Sequence, residues 1–134
     1  ALRNAALRGV DVRLITPGPS DLRIVTLAGR SYFDGMMEAG VRVYLYRPTN
    51  LHAKVLVADD AVGVIGSPNV DGRSFFLNFE LGLFLYDRRQ VELLAEGFRE
   101  DLSRSEAVDP ERFARRPRTI QLLEDTCRIF SPLF

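Results

Sequence analysis

The chain has 134 residues, no net charge at pH 7, 46% hydrophobic and 27% charged residues, and a single cysteine, Cys127. That is enough chain for one domain with a real core, in an ordinary soluble composition. The balance of charge rules out a bulk basic field for non-specific nucleic-acid binding, an internal disulfide is impossible so a reducing compartment is permitted, and no apolar run nears the roughly 20 residues that cross a bilayer.

Ala1 to Arg8 reads as a helix that Gly9 ends. It starts without Met, as the back half of a longer helix would, so the chain is expected to be a piece of a longer protein or a designed one. Val10 to Thr16 alternates apolar and polar residues as a strand does. Pro17 to Ser20 forms a loop, and Ser20 or Asp21 is placed to cap a helix running to about Ala39. Gly40 ends that helix, and Val41 to Arg47 repeats the strand. This helix–Gly–strand order implies right-handed crossovers and a mixed, mainly parallel sheet flanked by helices, an α/β domain. Pro48, Thr49 and Asn50 break the chain. Leu51 to Val57 reads as a strand, Asp59-Asp60 as a turn, and Val62 to Ile65 as its hairpin partner. Gly66 to Phe76 reads as a loop. Phe79 to Tyr86 is almost continuously apolar and so reads as a central strand. Arg88 to Ser103 is a helix with Val91, Leu94, Ala95, Phe98 and Leu102 on one face, and two short helices fill Pro110 to Phe130.

One histidine and one lysine occur, His52 and Lys54, among 18 Lys and Arg residues in total. A chain that otherwise uses only arginine places its one compact ammonium beside its one imidazole. Composition alone leaves two readings open: chemistry on an anion, or drift in an arginine-rich chain with a half-buried strand histidine. On a strand, positions 52 and 54 share a face while Leu51, Ala53 and Val55 pack on the other. The hairpin returns the chain to Gly66-Ser67-Pro68-Asn69, where glycine allows close backbone approach and Ser67 and Asn69 offer neutral donors. Together these residues form a cradle for a phosphate oxyanion. Acidic residues, His52 and Cys127 do not fall at metal-ligand spacings, so neither a metal nor another cofactor is expected.

The spacing His52-x-Lys54, four residues, Asp59, six residues, Gly66-Ser67-x-Asn69 resembles the H-x-K-x4-D-x6-G-S-x-N signature of the phospholipase D superfamily. The likeness continues through Arg8-Gly9-Val10-Asp11-Val12-Arg13-Leu14, Ala39-Gly40-Val41-Arg42-Val43, Asn69-Val70-Asp71-x-Arg73-Ser74 and Leu77-Asn78-Phe79-Glu80. It continues into the tail, Glu100 to Ser105 and Ser131-Pro132-Leu133. These stretches look like the C-terminal catalytic half of bacterial cardiolipin synthases, and Arg73 to Glu80 favours those over the small nucleases of the superfamily.

The resemblance implies a phospholipase D-like fold over 1–134, one lobe of a two-lobed enzyme. It implies a phosphatidyltransferase that joins two phosphatidylglycerols through a phosphohistidine, with a second such lobe or a homodimer partner supplying the other histidine. His52 would then be nucleophile or general acid, Lys54 and Asn69 would hold the nonbridging oxygens, and Ser67 would bond the phosphate or the imidazole. Glu80 would orient the imidazole. Asp59 would be structural, through turn bonds and a buried ion pair. The resemblance also implies action at the bacterial cell membrane, through N-terminal segments of the full-length protein that are not expected in this stretch, and nucleic acid is not an expected substrate. Two alternatives remain: a phospholipase D or nuclease-type phosphodiesterase using water, or a catalytically inert half-domain. The missing first strand would leave an open sheet edge.

The bland readings beside these are definite. Glu80 could face solvent on its strand, Asp60 could simply turn the chain, and Asn78 could be a turn former. Arg73 suits a surface ion pair more than a lipid phosphate, and Phe75-Phe76 suits core more than lipid. Ile120, Leu123, Ile129, Phe130, Leu133 and Phe134 could rest on a membrane or dock into a missing half.

Overall fold

Two helix-ending glycines frame the first sheet in the computed structural model, which describes residues 1–18, 23–49, 51–69 and 71–130. Gly9 and Gly40 both adopt left-handed backbone, φ +89° and +94°, where a side chain would be strained. Helix α1 (Leu2–Leu7) leads into strand β1 (Arg13–Pro17), and helices α2 (Arg23–Arg30) and α3 (Phe33–Glu38) lead into β2 (Arg42–Tyr46). β1 and β2 pair in parallel, Arg13 opposite Arg42, as the crossover through α2 and α3 requires. The expected single helix to Ala39 is two. The Ser31 hydroxyl donates to the Ala28 carbonyl at 2.7 Å, a competing bond that turns the backbone there. The proposed Ser20 or Asp21 cap lies outside the described residues.

The remaining strands are β3 (Val55–Ala58), β4 (Val62–Gly66), β5 (Gly82–Leu85) and β6 (Ser105–Ala107). They correct the expected mainly parallel sheet. There are two three-stranded sheets, ordered β1-β2-β6 and β3-β4-β5, and every described pairing except β1–β2 is antiparallel. The three-residue connection Asp59-Asp60-Ala61 leaves β3 and β4 no room for a crossover. Asp59 and Asp60 have positive φ, 52° and 51°, and the Ala61 N–H donates to the Ala58 carbonyl at 3.0 Å, the tight hairpin turn that aspartate tolerates. β5 is an edge strand, not a central one, and Leu83 and Phe84 on it are exposed. Its apolar run is left uncovered by the described residues.

Helix α5 (Arg88–Ser103) backs both sheets, with Val91 and Ala95 buried beneath it. The core of the first sheet gathers Val12, Phe33, Val41, Val43 and Phe113. Phe113 comes from α6 (Pro110–Ala114), and α7 (Arg118–Ile129) lies against α2. These last two helices fall where the sequence places them.

A charged cluster ties them down. Glu124 is fully buried and takes the Arg30 and Arg116 guanidiniums on its two oxygens, each at 2.7 Å. Arg116 also grips Asp34 on α3 with two bonds, 3.1 and 2.6 Å, and stacks 3.9 Å over the Phe113 ring. The Asp34 carboxylate first, then Glu124, holds the Arg116 guanidinium above its ordinary value. Removing one partner of a buried ion set strands the other charges, at about 3–5 kcal/mol. Glu124→Ala should therefore cost about that much in urea denaturation, and a loss below about 1 kcal/mol would mean that the cluster does not clamp α7.

Candidate active site

Three chain segments meet at one end of the β3-β4-β5 sheet because its strands alternate in direction. Residues 51–54 enter β3 there, Gly66 leaves β4 there, and Glu80 and Leu81 enter β5 there. The expected strand from Leu51 begins only at Val55, yet its pairing reaches one residue back: the Gly66 N–H donates to the Lys54 carbonyl at 3.1 Å. On the other side the Ser67 N–H donates to the Leu81 carbonyl at 2.9 Å. A Cβ on Gly66 would sit 2.5 Å from that same Leu81 carbonyl oxygen, so only glycine fits between the neighbouring strands.

His52 is exposed and Lys54 half-buried. The Lys54 Nζ lies 2.9 Å from His52 Nε2 and also donates to the His52 carbonyl at 3.0 Å. An ammonium can only donate, so Nε2 presents its lone pair and the ring proton belongs on Nδ1. The lone pair that a nucleophile needs and the fixed positive charge that an oxyanion needs therefore share one spot.

Ser67 and Glu80 form the second pair. The Ser67 hydroxyl donates to Glu80 Oε2 and accepts the Leu81 N–H at 3.0 Å. Asn78 Nδ2 donates to Glu80 Oε1 at 3.5 Å. The hydrogen bond from Ser67 first, then those from Ser74 and Asn78 and the charge of Lys54, hold the Glu80 carboxyl below its ordinary value. Glu80 is thus an anion directed at the loop rather than a free solvent-facing residue.

The sequence-derived residues divide accordingly. His52 joins Lys54, and Ser67 joins Glu80, with the Lys54 charge felt at Glu80. Among the described residues Glu80 makes no hydrogen bond to His52, and the Ser67 hydroxyl is engaged by Glu80 and Leu81. Asn69 is exposed beside them, its N–H bound by the Ser74 hydroxyl at 3.0 Å. Asp59 sits at the opposite end of the hairpin. At ~3.3 Å per residue, that is roughly 16 Å from Lys54. It is exposed and has no ion pair among the described residues, which corrects the expected buried pair. A residue in a tight turn has no interior to be buried in.

Sequence reasoning missed helix α4 (Gly72–Phe76), inside what reads as a loop. Its signal was Asp71 three residues before Ser74: the Asp71 carboxylate caps the helix by accepting the Ser74 N–H at 2.8 Å. Phe75 and Phe76, read as core, are 63% and 86% exposed, because α4 turns them outward. No group of three or more metal-ligating side chains occurs among the described residues.

Residues 1–102 match the family described as cardiolipin synthase, PLD-like domain. The chain belongs to that family. The phospholipase D-like domain is 45% identical over 133 residues to a cardiolipin synthase of Halalkalibacterium halodurans, covering 99% of this chain and 26% of the relative. It is 44% identical to cardiolipin synthase 2 of Bacillus anthracis, with 99% and 26% covered, and 38% identical to a cardiolipin synthase of Listeria welshimeri, with 99% and 28% covered. The chain thus spans about a quarter of the length of these curated relatives. No solved structure gives a significant match.

Two substitutions test the geometry of this phospholipase D-like site. Gly66→Ala should cost about 1–3 kcal/mol by forcing β4 off Leu81, read as a lower urea midpoint; an unchanged midpoint would mean that the strands are not in close contact. Ser67→Ala should raise the Glu80 pKa toward the ordinary glutamate value in a carbon-13 NMR titration. The sign follows from linkage: a depressed carboxylate adds stability above its ordinary range and loses it as pH falls through the lowered value. The stability gap between parent and Ser67→Ala should therefore close as pH drops through that window.

Proposed function

We propose that this domain is the C-terminal catalytic half of a phosphatidyltransferase that makes cardiolipin from two phosphatidylglycerols. The carrying observation is the His52 Nε2 and Lys54 Nζ contact at 2.9 Å, on the open end of a sheet, beside an anionic Glu80 and the Asn69 loop. Family membership and relatives named cardiolipin synthase support the same reading.

In the proposed reaction, the Lys54 ammonium turns from His52 Nε2 to a nonbridging oxygen of one phosphatidylglycerol, and the freed Nε2 attacks its phosphorus. The bond from phosphorus to the glycerol oxygen breaks, and that oxygen takes a proton from an acid outside this chain. The phosphatidyl group now rides on the imidazole. A hydroxyl of the second phosphatidylglycerol then attacks, gives up its proton to that same outside group, and frees His52 with cardiolipin formed. Lys54 and Asn69 face the nonbridging oxygens as negative charge builds, while Ser67 and Glu80 hold the loop. Lys54 supplies fixed charge, so the step needs no metal.

One histidine cannot attack and protonate the leaving oxygen in a single step. The proposal therefore includes a second lobe or a second copy facing this one. Leu56, Val64 and Phe84 lie side by side across the three strands of the second sheet, and Leu56 and Phe84 are 47% and 60% exposed. An apolar face of this kind is suited to a second lobe. No helix among the described residues is long and apolar enough to cross a membrane. Contact with the bilayer is proposed to come through the rest of the full-length protein.

The test is acid-quenched trapping in the full-length protein supplied with phosphatidylglycerol vesicles. A phosphorylated His52 and loss of at least about 10³-fold in glycerol release for His52→Ala are expected. Lys54→Ala should lower kcat by about 10²- to 10³-fold with the fold intact. Full activity in His52→Ala would end the proposal, and phosphatidic acid as the main product would mean that water is the acceptor.

A further inference from the structure

Ser74 is one of the few polar residues buried in this domain, at 7% exposure, and the reaction proposed above gives it no part. Its backbone is fixed from below, because the Ser74 N–H donates to Asp71 Oδ1 at 2.8 Å as the cap of α4. Its side chain is fixed from above: the Ser74 Oγ accepts the Asn69 N–H at 3.0 Å. A hydroxyl that has accepted one bond still has its proton to give, and Ser74 is near enough to Glu80 to share in holding its carboxyl below the ordinary value. Glu80 in turn accepts the Ser67 hydroxyl, and only Pro68 separates Ser67 from Asn69. The bonds thus tie the Asn69 amide to the Ser74 hydroxyl and the neighbouring Ser67 hydroxyl to the Glu80 carboxylate.

We infer that Ser74 is a positioning residue of this site: one buried hydroxyl, on a helix capped by Asp71, fixes the Asn69 side of the phosphate cradle. The inference rests on the phosphatidyl-transfer reading for its consequence, though the bond between Asn69 and Ser74 does not.

A purely packing role would be satisfied by any small side chain. A positioning role needs the oxygen. Ser74→Ala leaves the Asn69 N–H without its acceptor and lets the loop drift, and displacements of about 1 Å at a reacting centre cost up to ~10²-fold. Binding of the lipid, spread over a larger surface, is not at stake.

The test uses the full-length protein on phosphatidylglycerol vesicles, with glycerol release measured for parent, Ser74→Ala and Ser74→Thr. Expected are a kcat lowered at least tenfold in Ser74→Ala with KM within twofold, and a kcat within about threefold of parent in Ser74→Thr, which keeps the oxygen. Amide hydrogen exchange at Asn69 should be slow in the parent and at least tenfold faster in Ser74→Ala. If Ser74→Ala does not fold, Ser74→Cys, of the same size and a weaker hydrogen-bonding partner, takes its place in both measurements. The inference is overturned by a Ser74→Ala kcat within twofold of parent, by equal losses in the alanine and threonine variants, by a change in KM alone, or by an Asn69 amide that exchanges equally fast in both proteins. A parent that releases no glycerol would sink the phosphatidyl-transfer reading instead, and the Asn69 exchange would still decide the role of Ser74.

Discussion

The bond from the Gly66 N–H to the Lys54 carbonyl sets the site. It extends the β3–β4 ladder one step beyond the regular strand, and so fixes the residue that carries the ammonium. It also sets Gly66 against the Leu81 carbonyl, where only a glycine fits, and the next residue, Ser67, reaches across to the start of β5. Through one backbone contact the ammonium on the first strand, the hydroxyl after the second and the carboxylate before the third acquire fixed relations. His52 needs no strand of its own, because Lys54 holds both its ring and its carbonyl.

Stability and chemistry occupy different parts of the chain. The polar groups proposed to meet the substrate, His52, Lys54, Ser67 and Asn69, are half-buried or exposed, as groups must be if they are to meet a charged substrate. The buried charges lie elsewhere, in the Glu124 cluster that joins α2, α3, α6 and α7. Much of that cluster belongs to residues beyond 102, outside the stretch that matches the family. The relatives nonetheless align over 133 residues, so the tail is shared with them. Its task here is to close the first sheet, whose core includes Phe113. Helix α5 passes that rigidity to the second sheet, where Val91 and Leu94 lie against Gly63.

Local signals were legible. Left-handed glycines, the Asp59-Asp60 turn, the amphipathic period of α5 and the two tail helices follow from residue type and spacing, because each is settled within a few residues. The proximity of His52 and Lys54 was legible for the same reason, although the strand invoked for it starts later. Pairing direction was not. The helix–Gly–strand repeat is true for β1 and β2 alone, and nothing in it reveals that the second sheet is built from hairpin-like antiparallel neighbours. Helix α4 was hidden because Gly72 and its surroundings read as loop, while the Asp71 cap that starts it is a single side chain. The apolar run at 79–86 was read as a central strand, on the premise that apolar means covered by the same chain. Phe84 and Leu83 show that premise failing. The partner of Glu80 was beyond reach altogether: whether a carboxylate turns to an imidazole or to a hydroxyl depends on rotamers set by tertiary contacts.

That failed premise bears on how the site should work. An edge strand with apolar residues on both faces normally invites aggregation unless something covers it. The chain spans about a quarter of its relatives, so the covering surface has ample chain from which to come. The same consideration applies to the chemistry. The Nε2 lone pair of His52 takes the Lys54 ammonium and the Glu80 carboxylate is turned to Ser67, which leaves the Nδ1 proton of the imidazole without a carboxylate partner among the described residues. An imidazolium formed during attack would be stabilised by a negative neighbour at Nδ1.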